Sequence, residues 1–279
     1  VGVLGAGQMG VGIALVAARY AKLPVTLVDI SEKQLEKGMN FMDRLLAKDV
    51  SKEKLTEAEA SSIRERIQVG SGGMSDFKES DIVIEAISED LELKLRVFRD
   101  LANATPSHTI LASNTSSISI SRIAGATPRP ESVIGMHFMN PVPVMKLVEV
   151  IPGIGTSPET LQTTLDLAVS MGKITTESKD TPGFIANRLL MPYINEAIIA
   201  LDEGVGTRED IDATMRLGTA VPMGPLTLAD FIGLDTCLAI MRVLHNEFGD
   251  SKYRPSILLK RYVDAGWLGK KSGRGFYSY

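Results

Sequence analysis

Six residues at the start of the chain constrain its fold most: Gly5-Ala-Gly-Gln-Met-Gly10. They follow the short apolar run Val1 to Leu4 and precede Val11 to Tyr20, which is apolar almost throughout. Strand, glycine turn and buried helix are the context in which Gly-x-Gly-x-x-Gly binds a dinucleotide. Each glycine has its own task. Gly5 permits the tight turn, Gly7 lets the backbone approach a pyrophosphate, and Gly10 lets helix and strand pack closely. Gln8 and Met9 lie inside the turn and count with the cofactor-facing residues. The helix N-terminus then offers unpaired N–H groups and a partial positive charge to phosphate.

Pro24 stops that helix, and Val25-Thr-Leu-Val28 reads as the next strand. Asp29 ends it, 19 residues after Gly10. A carboxylate there accepts both ribose hydroxyls and repels a 2′-phosphate. No arginine follows, since the next residues are Ile30, Ser31 and Glu32. NAD is therefore favoured over NADP.

Strand patterns recur at 67–69, 81–85, 109–112, 133–136 and 146–151. Helical patterns fill 31–66, 91–103 and 158–171, and Thr56 with Glu59 forms a capping box after a break near 50–55. Alternation of this kind predicts an α/β fold, a Rossmann-type doubly wound parallel sheet. Beyond about 180 the strand signals nearly vanish. Helices fit 185–202, 207–217, 225–247 with a break near Gly233, and 255–265, before a last strand-like Gly275-Phe-Tyr-Ser-Tyr. The expected domains are 1–180, binding NAD, and 181–279, an all-α domain for substrate and dimerisation.

With 30 basic and 34 acidic residues the net charge is −4, and no basic run appears. Nucleic acid is therefore not an expected partner. Nor is a membrane, because the apolar runs fall short of the ~18–20 residues that span one. Cys237 is alone and the histidines number three, so neither a disulfide nor a metal site is expected. The chain opens inside a strand pattern without Met or signal peptide, which suggests residues upstream. The expected compartment is intracellular, cytoplasm or mitochondrial matrix.

His108 sits in a polar turn and His245 in a polar helical stretch; His137 differs. It ends the apolar strand Val133-Ile-Gly-Met, and open α/β sheets bind ligands beyond the carboxyl ends of their strands. Imidazole exchanges protons near neutral pH, so a base belongs there. Glu149 is an acid inside the apolar run Leu147-Val-Glu-Val-Ile, where a buried charge needs a partner. A neighbouring strand would set it against His137. Asn114-Thr-Ser116-Ser117 follows another strand and offers an amide and hydroxyls to a substrate oxygen or a nicotinamide.

Taken together, GAGQMG, VDI, DIVIEAISEDLELK, SNTSS, HFMNPVPVMKLVEV, DTPGFIANRLL, PMGPLTLADFIGLD and GKKSGRGFY span nearly the whole chain. In that order they resemble the L-3-hydroxyacyl-CoA dehydrogenase family, including 3-hydroxybutyryl-CoA dehydrogenases. The resemblance implies that NAD oxidises a (3S)-3-hydroxyacyl-CoA thioester to the 3-oxoacyl-CoA, reversibly. It implies His137 as base, Glu149 as its acidic partner, Ser116 on the substrate oxygen, and Asn187 orienting the substrate. Glu89, Lys94, Asn114, Ser116, Asn140 and Lys271 match further NAD contacts. Lys52 matches a CoA contact, although Leu45 stands where some members carry serine, and Lys48, Lys52 and Lys54 also read as a solvated face. A homodimer through the helical domain is implied too. Two alternatives stay open: an NAD enzyme on a hydroxy acid that is not a CoA ester, and a non-catalytic member of the lens lambda-crystallin type.

Overall fold

The computed structural model describes residues 1–279. The chain forms two compact units, Val1–Thr181 and Pro182–Tyr279. The first holds eight strands: β1 (Gly2–Leu4), β2 (Val25–Val28), β3 (Ile67–Val69), β4 (Ile82–Glu85), β5 (Ile110–Ser113), β6 (Val133–Phe138), β7 (Leu147–Pro152) and β8 (Ile174–Glu177). They make one sheet in the order β3-β2-β1-β4-β5-β6-β7-β8. Its helices are α1 (Gln8–Val16), α2 (Glu32–Ser51), α3 (Glu57–Glu65), α4 (Leu91–Ala104), α5 (Ile120–Ala124) and α6 (Pro158–Ser170).

The first six strands are parallel, as the alternating pattern requires. The doubly wound, mainly parallel sheet is as expected, with one departure: β7 runs antiparallel to β6. The connection 139–146 has only eight residues. A parallel return needs a crossover of about a dozen or more, so the chain folds straight back. β8 was not foreseen. Its Ile-Thr-Thr-Glu is largely exposed at the sheet edge, so it lacks the apolar face that marks a buried strand.

Strand order reverses at β1, which pairs with β2 on one side and β4 on the other. The glycine turn lies just beyond this point, where open α/β sheets bind ligands. α1 packs by its smallness. Val11, Ile13, Ala14 and Val16 are fully buried, and a Cβ on Gly12 would sit 2.7 Å from Val142 Cβ. A wider π-helical turn, Ala17–Ala21, carries the helix past its regular end, and Lys22 closes it in the left-handed conformation. α2 starts at Ser31, whose hydroxyl accepts the Gln34 N–H. The capping box of α3 is present: Thr56 Oγ1 accepts the Glu59 N–H at 3.2 Å, and Glu59 Oε2 accepts the Thr56 N–H at 2.8 Å. At the end of the unit, Asp180 accepts the backbone N–H groups of Ile120 and Ser121, at 2.9 and 2.7 Å, capping α5 from 60 residues away.

The second unit is helical: α7 (Ala186–Asp202), α8 (Arg208–Gly218), α9 (Pro225–Ile232), α10 (Leu234–Phe248) and α11 (Ile257–Asp264). The foreseen break is at Gly233, whose φ of 104° suits glycine. Two buried aspartates organise it. Asp212 accepts the N–H groups of Leu226 and Thr227 at the start of α9. Asp230 accepts those of Phe276 and Tyr277. Burial, more than the nearby Asp212 charge, holds the Asp230 carboxyl above the usual aspartate range. The strand-like ending is thus no strand. Gly275 to Tyr279 wraps around the Asp230 carboxylate, and its Phe276 packs against Tyr262 at 4.9 Å between ring centroids.

Candidate active site

The glycine turn is held from three sides. Gly5 N–H donates to Val28 O at 2.7 Å, Ala6 N–H to Asp29 Oδ2 at 2.9 Å, and Gln34 Nε2 to Ala6 O at 3.1 Å. Asp29 Oδ1 also accepts the Ser31 N–H at 2.9 Å. One carboxylate at the end of β2 therefore braces the turn that it flanks. The three glycines separate cleanly. Gly5 has a φ of 106°, and a Cβ there would lie 2.6 Å from Ala86 O. A Cβ on Gly10 would lie 1.8 Å from Gly5 O. At Gly7 nothing stands within 4 Å. That open position is where a ligand's phosphates can come against backbone. Beside it a cleft of about 500 Å³ is lined by Gly5, Gly7, Asp29, Ser31, Ala86 and Ile87. Gln8 and Asn140 are exposed and joined, Nε2 to Oδ1 at 3.1 Å, and Met9 packs partly on the core.

His137 and Glu149 face each other directly across β6 and β7. Nδ1 lies 2.8 Å from Oε2; the residues are 7% and 1% exposed. An ionised carboxylate can only accept, so this contact favours the neutral ring with its proton on Nδ1 and its lone pair on Nε2. Asn114 Oδ1 accepts the Phe138 N–H at 2.8 Å, pinning the end of β6 beside His137.

A second network holds the serine loop. Glu85, at the end of β4, is fully buried. It accepts from Lys94 Nζ at 2.6 Å, Ser113 Oγ at 2.7 Å and the Ile87 N–H at 2.8 Å. Lys94, 1% exposed, also lies 3.3 Å from Glu89. Glu89 Oε1 in turn accepts Thr115 Oγ1 at 2.6 Å, the Ser116 N–H at 2.9 Å, and the hydroxyls of Ser116 and Ser117 at 3.3 Å. Lys94 thus reaches the surface of the site through Glu89. Glu85 was missed by sequence reasoning, although its signal matches that of Glu149, an acid in an apolar strand.

Other candidate residues lie elsewhere. Asn187 is buried in the first turn of α7, and Lys271 pairs with Asp235 at 2.6 Å; both belong to the helical unit. Lys52 is exposed at the C-terminal end of α2, and Leu45 packs against the core. His108 is exposed, 3.9 Å from Asp81. No group of three or more His, Cys, Asp or Glu gathers to hold a metal, and no helix is long and apolar enough to cross a membrane.

Open backbone at Gly7, a carboxylate just past β2 and an imidazole near the end of β6 lie at strand ends of one sheet. That is the layout of the nicotinamide-linked dehydrogenases. Residues 1–181 match the family described as 3-hydroxyacyl-CoA dehydrogenase, NAD binding domain, and residues 183–279 match 3-hydroxyacyl-CoA dehydrogenase, C-terminal domain. The chain belongs to the 3-hydroxyacyl-CoA dehydrogenase family, and NAD is its cofactor. It is 56% identical over 277 residues to a Bacillus subtilis protein named "Probable 3-hydroxybutyryl-CoA dehydrogenase", covering 99% of this chain and 96% of that one. It is 53% identical over 279 residues to the 3-hydroxybutyryl-CoA dehydrogenase of Bradyrhizobium diazoefficiens, covering 100% and 94%. Among solved structures, the (S)-3-hydroxybutyryl-CoA dehydrogenase of Ralstonia eutropha superposes with a TM-score of 0.96 at 47% identity, covering 100% and 98%.

Burial pushes the Glu89 carboxyl up, but the Lys94 ammonium and the bonds from Thr115 and Ser116 outweigh it and hold the group below the usual glutamate range. A carboxyl lowered on folding adds stability that is complete above about pH 4.5 and is lost as pH falls through the lowered value. Glu89→Gln therefore has a lower Tm than wild type near neutral pH, and the gap narrows on acidification to about pH 3. Scanning fluorimetry across that range checks this; a gap that stays constant contradicts it.

Proposed function

We propose that this enzyme interconverts (3S)-3-hydroxyacyl-CoA and 3-oxoacyl-CoA, with short chains such as 3-hydroxybutyryl-CoA as its substrates. The observation that carries the residue roles is the 2.8 Å contact of His137 Nδ1 with Glu149 Oε2. Nε2 accepts the proton of the C3 hydroxyl. Glu149 keeps the ring in the tautomer that can do so and offsets the positive charge that the ring acquires. NAD, when bound, takes up the hydride that leaves C3. In the reverse direction the imidazolium returns its proton to the 3-oxo oxygen. Ser116, set by Glu89, and Asn187 are assigned to the substrate oxygens. Gly5, Gly7 and Gly10 with Asp29 receive the cofactor, and Glu89, Lys94, Asn114, Asn140 and Lys271 are assigned to its support.

Lys52 is assigned to the CoA moiety. Its ammonium is exposed and Lys48 lies one helical turn before it, so two cations face solvent together where a CoA phosphate can meet them. A homodimer through the helical unit is the arrangement that the family resemblance implies, and Leu189, Leu217, Phe231 and Ile257 are among the large apolar side chains that unit exposes. Sedimentation equilibrium is expected to give the mass of two chains, and a one-chain mass at micromolar concentration overturns it.

The function is tested by NADH oxidation with acetoacetyl-CoA. Wild type turns over, and His137→Gln loses about 10²–10⁴-fold in kcat while still binding NADH. Turnover that survives the substitution removes His137 as the base. No turnover in wild type, with NADH bound tightly, removes the short-chain substrate.

A further inference from the structure

Lys173 stands between α6 and β8, 7% exposed. Its backbone is fixed at both neighbouring bonds: its N–H donates to Ala168 O at 3.1 Å, and the next N–H, of Ile174, donates to Lys146 O at 2.8 Å. From this fixed base the side chain reaches across to the turn joining β6 to β7. Nζ donates to Val142 O at 2.5 Å and to Met145 O at 2.8 Å. Both of these bonds end on backbone carbonyls rather than on a carboxylate. A buried ammonium with no opposing charge is costly. Burial accordingly holds it below the ordinary lysine range. An apolar side chain would fill the space without that cost, so the bonds themselves are what the lysine adds.

The clamped turn touches the cofactor side of the site at two points. Val142 sits on α1 where Gly12 leaves room for it. Asn140 Oδ1 accepts the amide of Gln8, inside the glycine turn. The turn also follows His137 closely, with only Phe138 between.

We propose that Lys173 is a positioning residue for NAD binding: by holding the carbonyls of Val142 and Met145 it fixes the turn 139–145, and so keeps Asn140 against the glycine turn. The proposal rests on the reading of Asn140 and the Gly5–Gly10 turn as cofactor contacts. Lys173 touches neither substrate nor cofactor and acts through the turn.

The test is a double-mutant cycle on the full chain, read as the Kd of NADH by fluorescence titration. Lys173→Met and Asn140→Ala each weaken NADH about ten-fold, and the double variant is little worse than the weaker single, because both act through one segment. In the protein without cofactor, amide exchange at Val144 and Met145, whose N–H groups donate to Pro141 O, quickens in Lys173→Met. Losses that multiply in the double variant overturn the proposal, and so does wild-type NADH affinity in Lys173→Met when Asn140→Ala is weakened. If Asn140→Ala itself binds as wild type, the cofactor reading of Asn140 is wrong and the proposal falls with it. Lys173→Leu, likewise unable to donate, runs the same cycle if the methionine variant does not fold.

Discussion

Eight residues join β6 to β7, and that shortness places the imidazole and the carboxylate together. A longer link would have crossed the sheet and laid β7 parallel to its neighbours. Turned back instead, β7 brings Glu149 opposite His137 in register. Neither side chain then has to search for the other, because the ladder has already fixed both backbones. A slip of one residue would turn Glu149 to the other face of the sheet. Register therefore sets the pair, and its surroundings are clamped as well: Asn114 on the Phe138 N–H, and Lys173 on the connecting turn.

The charged network on the other side of the site works differently. Taking Glu85 and Lys94 out of water costs on the order of several kcal/mol per ion before any bond is counted. Three donors meet the Glu85 carboxylate, and two carboxylates meet the ammonium. What emerges at the surface is Glu89, gripping the backbone and hydroxyl of Ser116. Buried charge here orients an exposed serine loop that, by composition alone, would be free to move.

Residues whose partners lie nearby in sequence, or whose chemistry jars with their surroundings, were legible. The glycine turn announced its own geometry, and Thr56 with Glu59 announced the start of α3. His137 stood out by its strand end and Glu149 by its apolar setting. Glu85 carried the same signal, an acid closing an apolar strand, and was passed over. The reversal of β7 was also latent in the length of 139–146, but alternating strands and helices pointed to a parallel sheet. Asp180 and Lys173 could not be read, since their partners lie 28 to 61 residues away and only the folded sheet brings them close. The ending read as strand-like because Phe276, Tyr277 and Tyr279 are aromatic residues of the kind enriched in strands, although the N–H groups of Phe276 and Tyr277 go to Asp230.

The pairing of His137 with Glu149 is read most directly from which imidazole nitrogen carries the proton. With only three histidines in the chain, ¹⁵N-edited NMR resolves each ring, and His137→Gln assigns the signal. Above neutral pH, in the protein without cofactor, His137 is predicted to be the Nδ1-protonated tautomer, with Nε2 free to act as base. An Nε2-protonated ring would mean that Glu149 does not hold it, and the pairing would have no part in placing the base.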